Sequence, residues 1–261
     1  MNVSVIIPAA GRSSRYGTDK LGADLGGRAV LLRSIELFTK RDEVRTIIVA
    51  GPPDDMPAFQ DRFGAQLSFH GVRIVAGSAT GRWETVKNAL AAVPDDATHV
   101  AVHDAARPGT SDELISRLME AAKVHAAVIP GLAIADTLKR VSEMQVQAEP
   151  EDALADMILG EDADAGKRTG RFVQEAVDRA RMVAVQTPQI FEITLFRRAY
   201  SQSNVQDVTD DAGLVERLGE PVMVVDGEFR NLKITVPEDL ALMRTLLGLK
   251  SADGRPVHKR F

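Results

Sequence analysis

The sequence predicts an α/β protein whose central sheet is mostly parallel. Two observations lead to this prediction: short, apolar, β-branched runs recur along the chain, and amphipathic stretches with helical spacing lie between them. Strands that alternate with helices form right-handed βαβ units, in which neighbouring strands run parallel. The 261 residues suit one large domain with an appendage, so we expect a single domain over residues 1–261.

The first half of the chain supplies the clearest alternation. Its apolar runs resemble strands that are buried on both faces of a sheet. Its amphipathic stretches carry apolar residues on one face, and Ser111 is the predicted N-cap of the third helix. The predicted strands are Val3–Pro8, Thr46–Ala50, Val72–Ala76, His99–His103 and Ala126–Pro130, and the predicted helices are Ala29–Thr39, Arg82–Ala92 and Asp112–Val124.

An acidic segment interrupts the alternation. Residues 141–166 contain eight acidic side chains and no Lys or Arg, which predicts a solvated surface insertion. The alternation then resumes, and the last helix has Pro237 in its first turn. The later predicted strands are Arg181–Val185, Val222–Val225 and Leu232–Thr235, the later helices are Ile193–Tyr200, Thr209–Leu218 and one from Pro237, and Ser251–Phe261 is a polar tail.

Composition excludes several classes of protein. The absence of cysteine excludes a disulfide framework, a thiolate metal site and a cysteine nucleophile. No apolar run approaches membrane-spanning length. The first apolar run is too short for a signal peptide, and it lacks the positive charge that precedes one. A net charge of -5 argues against a general nucleic-acid binder. We therefore expect a cytoplasmic protein that binds neither nucleic acid nor membrane.

The loop that follows the first strand predicts an anion site. Pro8, Ala9, Ala10 and Gly11 are small or turn-forming, so a ligand can approach the backbone, and successive N–H groups in such a turn bind anions. Arg12, Arg15 and Lys20 add positive charge on the same loop. The loop lacks both the Walker A sequence and the dinucleotide-binding glycine spacing. A nucleotide site of another type and a plain surface turn both remain open.

Charged residues also follow the fourth predicted strand. Asp104 leaves this strand at the sheet edge where ligands bind in open α/β folds. Its carboxylate could help to hold a magnesium–triphosphate complex, or it could cap the next turn. Arg107 could clamp a second phosphate with two hydrogen bonds. His103 is interpreted as a packed residue at the strand end rather than as a base.

Several sequence blocks, in order, resemble the 2-C-methyl-D-erythritol 4-phosphate cytidylyltransferase family. Each block is weak alone, and together they cover most of the chain. The resemblance implies a GT-A-like, Rossmann-related nucleotidyltransferase fold with a protruding dimerisation arm, here at about residues 134–180 together with the acidic insertion. The blocks are Pro8-Ala9-Ala10-Gly11 with Arg15 and Lys20, then Val102–Pro108, Asp136–Arg140, Val177–Arg179, Thr187–Phe191, Thr209–Asp211 and Asn231–Asp239.

The resemblance also implies roles for individual residues. It implies a homodimer that uses magnesium, CTP and methylerythritol phosphate, with the acceptor site completed by the neighbouring subunit. Asp104 is the implied metal contact, mostly through the CTP phosphates. The implied catalytic residues are Arg15, Lys20 and Lys233; the nucleotide-binding residues are Pro8, Ala9, Ala10, Gly11, Gly77, Ser78, Thr85, Asp104 and Ala105; and the acceptor-binding residues are Arg107, Thr137, Arg179 and Thr187.

The implied chemistry suits these residue types. A phosphomonoester is nearly doubly charged at neutral pH, so it is already a nucleophile and needs no general base. The obstacle is the repulsion between two anions, which cations and positioning relieve. The resemblance therefore implies transfer of CMP from CTP to methylerythritol phosphate in non-mevalonate isoprenoid synthesis, with release of pyrophosphate.

Two alternatives remain open on the sequence alone. Ribitol-5-phosphate cytidylyltransferase shares most of the blocks, so the acceptor is less determined than the transfer. A non-catalytic nucleotide-binding relative is the other alternative, although the charged residues of the phosphate site are all present. Asp210 and Asp211 are interpreted as a pair at a helix N-terminus, where carboxylates are favoured, rather than as metal ligands.

Overall fold

The computed structural model describes residues 1–11, 16–17, 19–143, 146–148 and 168–249. The chain divides into two compact units, one of Met1–Leu132 with Val185–Phe261 and one of Ala133–Ala184. The arm predicted at about residues 134–180 falls within the second unit. None of the helices in the described ranges is long and apolar enough to span a membrane.

A mixed sheet organises the first unit, and it is mostly parallel, as predicted. Its strands are β1 Val3–Pro8, β2 Val44–Gly51, β3 Arg73–Ala76, β4 His99–Val102, β5 Ala127–Ala133, β10 Val183–Val185, β11 Gln189–Glu192 and β12 Met223–Asp226. β1 pairs in parallel with β2 and β4, β2 with β3, and β5 with β12, whereas β11 runs antiparallel between β4 and β5. The order is β10-β5-β11-β4-β1-β2-β3, with β12 also beside β5.

Helices cover both faces of this sheet. Alternation along β1 shows the two faces, because Val5 and Ile7 join one apolar cluster and Ile6 joins the other. The predicted N-cap is confirmed, since Ser111 Oγ accepts from the Leu114 N–H at 3.0 Å. The helices are α1 Val30–Glu36, α2 Met56–Phe69, α3 Arg82–Leu90, α4 Asp112–Ala122, α5 Ile193–Tyr200, α6 Ala212–Glu216 and α7 Pro237–Leu246.

Four sequence predictions need correction. Helix α2 was not predicted, although its buried residues Phe59, Phe63 and Leu67 recur at a helical spacing of four. Strand β11 was also missed, and the helix predicted at 209–218 is only α6. The segment predicted as strand 232–235 forms no strand in the described structure. Its apolar alternation packs against a loop, since Ile234 N donates to Ala106 O at 2.9 Å.

The second unit contains two antiparallel strand pairs. The first pair joins β6 Leu138–Val141 to β9 Val173–Val177, and the second joins β7 Val146–Ala148 to β8 Arg168–Gly170. An exposed ion pair between Arg140 and Glu175 at 2.6 Å links the first two strands. Most of the predicted acidic insertion at 141–166 and the whole predicted tail at 251–261 lie outside the described residues.

Candidate active site

A cavity of about 500 Å³ opens where β1, β2, β3 and β4 end. Ligands of open α/β sheets bind beyond these carboxyl ends. Small residues after β1 form one wall, and the turn after β3 forms another. Most of the residues predicted to bind nucleotide line this cavity, together with both described catalytic candidates: Pro8, Ala9, Ala10, Gly11, Ser78, Thr85, Asp104, Ala105, Lys20 and Lys233.

Gly77 is required by close packing behind the cavity wall. A Cβ atom at this position would lie 2.7 Å from the Ala10 Cβ and 2.9 Å from the Gly51 carbonyl oxygen. Its own N–H donates to the same Gly51 oxygen at 2.8 Å. Gly77 therefore brings the loops after β1, β2 and β3 together, and it acts through packing because it is absent from the cavity lining.

Ser78 and Thr85 build the turn that enters α3. Thr85 Oγ accepts from the Ser78 N–H at 3.0 Å and donates to the Gly81 carbonyl at 3.0 Å. The Ser78 hydroxyl donates to Glu84, and the hydrogen bonds from Ser78 and Thr80 lower the pKa of Glu84. These bonds fix the backbone of the turn, so the turn presents a rigid wall to the cavity.

Asp104 is the charged centre of the site. Its carboxylate contacts Lys233 Nζ at 3.0 Å, Arg107 Nε at 3.2 Å and Arg82 Nε at 3.4 Å, and the residue is 8% exposed. Burial alone would raise the pKa of Asp104, but the three cations outweigh it and hold the pKa well below its usual range. Asp104 is therefore a permanent anion that gathers three cations at one point.

His103 is buried and neutral, as its interpretation as a packed residue predicted. Burial lowers the pKa of its imidazole to about 4. Nε2 lies 3.1 Å from the Arg107 carbonyl oxygen, which only accepts, so Nε2 carries the proton. Nδ1 then accepts from the Thr187 hydroxyl at 3.2 Å, and Thr187 Oγ accepts from the Asp104 N–H at 3.0 Å. Thr187 thus holds the Asp104 backbone in place.

Asn231 holds the neighbouring loops together. It is fully buried, and its amide nitrogen donates to the Thr187 carbonyl at 2.8 Å. Its side-chain oxygen accepts from Thr110 at 2.8 Å, and its backbone carbonyl accepts from Arg107 Nη1 at 2.6 Å. Two polar partners thus fix Arg107, namely this carbonyl and the Asp104 carboxylate.

A second cavity of about 440 Å³ adjoins the first. Arg82, Asp104 and Lys233 line both cavities, so these three residues form the boundary between them. The second cavity contains two of the predicted acceptor-binding residues, Arg107 and Thr187. Two adjoining cavities with shared cations can bind two anionic ligands side by side.

The remaining predicted site residues lie elsewhere. Arg15 lies outside the described residues. Thr137 and Arg179 belong to the second unit, where both are exposed and Arg179 Nη1 donates to the Ile134 carbonyl at 3.2 Å. Their acceptor-binding role stays a prediction.

Sequence reasoning missed Arg82 as a site residue. Arg82 is the first residue of α3 and was interpreted only as part of a helix. The available signal was its position directly after the Gly77-Ser78 turn, at a helix N-terminus where anions bind. Burial would lower the pKa of Arg82, but the charges of Asp211 and Asp104 raise it above its usual value.

Asp210 and Asp211 take separate roles at the start of α6. Asp210 Oδ1 accepts from the Gly213 N–H at 3.1 Å, and its other oxygen accepts from Gln189 at 2.8 Å. The predicted role at a helix N-terminus is therefore confirmed for Asp210. Asp211 instead faces inward, is 1% exposed and pairs with Arg82 Nη1 at 2.7 Å.

Comparison with known proteins identifies relatives over nearly the whole chain. The model of one family, IspD: 2-C-methyl-D-erythritol 4-phosphate cytidylyltransferase, matches residues 3–154 and 153–248. A curated protein of that name from Frankia casuarinae is 40% identical over 94% of this chain and 81% of its own length. Another from Geobacillus kaustophilus is 32% identical over 97% of this chain and 100% of its own length.

Solved structures resemble the fold as well. The 2-C-methyl-D-erythritol 4-phosphate cytidylyltransferase from Thermus thermophilus is similar with a TM-score of 0.69 and 33% identity, covering 94% of this chain and 98% of that structure. The 4-diphosphocytidyl-2C-methyl-D-erythritol synthase from Anaerococcus prevotii gives a TM-score of 0.71 at 28% identity, covering 95% and 98%. The predicted fold class is confirmed.

Proposed function

The chain belongs to the 2-C-methyl-D-erythritol 4-phosphate cytidylyltransferase family, and we propose that it transfers CMP from CTP to 2-C-methyl-D-erythritol 4-phosphate and releases pyrophosphate. The observation that carries the proposal is the boundary of Arg82, Asp104 and Lys233 between two adjoining cavities. Two anions can meet there across shared positive charge. The product is a precursor in non-mevalonate isoprenoid synthesis.

CTP occupies the first cavity in this proposal. The small residues Ala9, Ala10 and Gly11 let the nucleotide approach the backbone, and Lys20 supplies charge for the triphosphate. Arg15 belongs to the same loop and would add a second cation. The turn of Ser78 and Thr85 would form the wall beside the base. The α-phosphate then lies toward Lys233 and the second cavity.

The acceptor phosphate enters the second cavity. One of its oxygens attacks the α-phosphorus of CTP, a new P–O bond forms, and the bond from the α-phosphorus to the bridging oxygen breaks. The electron pair leaves with pyrophosphate, so no proton transfer is needed. Lys20, Arg15 and Lys233 stabilise the charge that builds up in the transition state.

The state of His103 agrees with a reaction that has no general base. A fully buried imidazole with a pKa of about 4, bonded through both nitrogens, reaches neither ligand. Its contribution is to hold Thr187, which in turn holds the Asp104 backbone. The site therefore acts by positioning and by charge.

The described donor set fits a magnesium ion carried by CTP. The described residues contain no group of three or more His, Cys, Asp or Glu side chains that could hold a metal. Magnesium is commonly bound by one or two carboxylates together with substrate phosphates. Asp104 would offer one oxygen, and the bound ion would neutralise part of the triphosphate charge.

The working enzyme is a homodimer in this proposal. Thr137 and Arg179 are exposed in the second unit. In a dimer, these residues would bind the acceptor phosphate of the neighbouring subunit. This assignment is supported by the family resemblance of the blocks around Asp136–Arg140 and Val177–Arg179.

Pyrophosphate release tests the proposal directly. The purified chain is incubated with magnesium, CTP and 2-C-methyl-D-erythritol 4-phosphate, and pyrophosphate and the cytidylylated product are both measured. Parallel reactions replace CTP by UTP, ATP or GTP, replace the acceptor by ribitol 5-phosphate, or omit it. We expect release only with CTP and methylerythritol phosphate. Faster turnover of ribitol 5-phosphate would overturn the acceptor assignment, and CTP binding without release would overturn catalysis.

A further inference from the structure

Arg82 lies between two buried carboxylates of different kinds. Asp104 contacts Arg82 Nε at 3.4 Å and lines both cavities, whereas Asp211 contacts Arg82 Nη1 at 2.7 Å and lines neither. The side chain of Arg82 is 30% exposed and that of Asp211 is 1% exposed. Asp211 is therefore the closer partner, and it lies behind Arg82 as seen from the ligands.

Asp211 depends on Arg82 for one oxygen and on Tyr200 for the other. Its Oδ1 accepts from the Tyr200 hydroxyl at 2.5 Å. Its Oδ2 has no hydrogen-bond partner among the described residues beyond the ion contact with Arg82. A buried carboxylate is costly unless it is paired. The unpaired state of Asp211 is thus strongly disfavoured, which keeps Arg82 at this position.

Tyr200 is a rigid and permanent donor. The residue is 4% exposed, and its ring packs on Phe196 with centroids 4.8 Å apart, which in turn stacks on Phe191. Burial, and then the charge of Asp211, raise the pKa of the Tyr200 phenol. The hydroxyl therefore stays protonated at neutral pH and donates to Asp211.

Capping of α6 does not explain Asp211. The neighbouring Asp210 supplies the side-chain bond to the helix, through Gly213 N at 3.1 Å. The Asp211 side chain makes no capping hydrogen bond. A carboxylate that is needed only for the helix would have no reason to face Arg82.

We propose that Asp211, held by Tyr200, is a positioning residue that fixes the Arg82 guanidinium at the boundary of the nucleotide cavity. The planar fork of an arginine is oriented once two of its nitrogens are bound. Asp211 and Asp104 bind Nη1 and Nε, so the remaining donors have a fixed direction. Without Asp211, Arg82 can turn fully onto Asp104. Its N–H donors are then no longer available to the phosphates of CTP.

The inference rests on the proposed binding of CTP in the first cavity, and calorimetry without acceptor tests it apart from turnover. Asp211→Asn keeps the shape of the side chain and removes its charge. We expect the Kd for CTP and the KM for CTP to rise by about tenfold, the size of a lost charge-assisted hydrogen bond, with kcat changed less than twofold. The control Asp207→Asn changes an exposed carboxylate nearby and should leave all three values unchanged.

A double-mutant cycle separates positioning from a general structural role. If Asp211 acts through Arg82, Asp211→Asn should change CTP affinity by less than about twofold in an Arg82→Lys background. The same tenfold loss in both backgrounds would overturn the proposal. An equal loss of kcat and CTP affinity, in step with lower stability to urea, would also overturn it.

If Asp211→Asn fails to fold, Tyr200→Phe tests the same chain of contacts from Tyr200 through Asp211 to Arg82. This variant keeps the ring packing and every charge, and it removes only the bond to Asp211 Oδ1. We expect a rise of about two- to fivefold in the Kd for CTP, abolished in the Arg82→Lys background. No change in the Kd for CTP would overturn the role of Tyr200 and, with it, the proposed positioning of Arg82 through Asp211. Wild-type CTP binding without turnover would instead count against the proposed reaction alone.

Discussion

The cations around Asp104 and the cations of the second unit are held in different ways. Arg107 is bound by both the Asp104 carboxylate and the Asn231 carbonyl, and its side chain is 11% exposed. Arg179 is exposed and, within the described ranges, donates to the carbonyl of Ile134 at 3.2 Å. Charge near Asp104 is therefore fixed before any ligand binds, whereas Arg179 can reorient to meet one.

This difference separates two ways in which a protein can present charge to phosphates. Groups that are already oriented lose no entropy when the reaction takes place, which suits stabilisation of a transition state. Exposed groups must be ordered by the ligand, and they contribute to its recruitment. We expect the first set to govern stability, CTP binding and kcat, and the second set to govern the KM for the acceptor.

Asp104→Asn should have the largest effect on stability, because it removes the charge that holds the cations around Asp104. The variant leaves Arg82, Arg107 and Lys233 around a neutral group, so we expect the free energy of unfolding to fall by about 3–5 kcal/mol, as for a broken buried ion pair. Urea denaturation at pH 7 measures the change. Asp112→Asn is the control, because the Asp112 side chain is 83% exposed and lies 3.7 Å from Arg41, so its loss should cost less than about 1 kcal/mol. Equal stability of the two variants would mean that Asp104 does not organise the cations.

Lys20→Met should separate catalytic charge from stability. Lys20 lines the first cavity and is half-buried, so we expect kcat/KM to fall by about 10²–10³ and the free energy of unfolding to change by less than about 0.5 kcal/mol. Initial rates of pyrophosphate release measure the first quantity. Lys123→Met, which removes an exposed pair with Glu120, should leave the rate unchanged. A loss below tenfold at Lys20 would remove it from the catalytic set.

The neutral, buried state of His103 should make the stability of the region around Asp104 fall in acid. Its pKa is about 4 in the folded chain and 6.5 ordinarily, so the unfolded chain binds a proton first as pH falls. The stability given by the neutral ring is therefore lost between these values. From pH 7 to pH 5 we expect His103 alone to lower the free energy of unfolding by about 2 kcal/mol.

Two measurements isolate this contribution of His103. The loss between pH 7 and pH 5 should shrink by about 2 kcal/mol in His103→Asn and should keep its full size in His125→Asn. A titration of the imidazole signals by NMR gives an independent reading. A His103 signal that titrates near pH 6.5 would contradict its neutral, buried state.

Arg179→Ala should have the smallest effect and should act on one substrate only. We expect the KM for methylerythritol phosphate to rise by about tenfold, while the KM for CTP and the free energy of unfolding stay unchanged. Arg181→Ala is a matched control, since it removes an exposed arginine of the same unit. Equal effects of the two variants would mean that Arg179 contributes only general charge, and a lower stability would contradict its description as weakly held.

The site residues that sequence analysis recovered share a simple signal. Asp104 closely follows β4 and Lys20 lies on the loop after β1, and parallel strands bring their carboxyl ends to one edge. Arg82 has only the weaker signal of a helix start after the turn that follows β3, and Asp211 has no such signal. Their importance depends on a contact between the start of α3 and the residues before α6, which are 129 positions apart (211 minus 82). Local pattern cannot predict a contact between segments so far apart.

The errors in the fold have the same origin. Leu232 and Ile234 alternate as a strand would, yet a strand also needs a neighbouring strand, and the chain places this segment against the Ala106 carbonyl instead. Strand β11 overlaps the block Thr187–Phe191, which was interpreted as part of the site and not as a strand. Its insertion as an antiparallel strand between β4 and β5 is a property of the whole sheet.

By itself, the sequence determined the class of fold, the order of its main strands and helices, and the family, because apolar periodicity and short motifs are local. Only the tertiary structure decided that Asp104 gathers three cations, that His103 and Thr187 serve the backbone of Asp104, and that Asp211 lies behind Arg82. The physical reason is burial. A carboxylate removed from water must find its partners across the fold, and those partners are set by packing rather than by neighbouring residues in the chain.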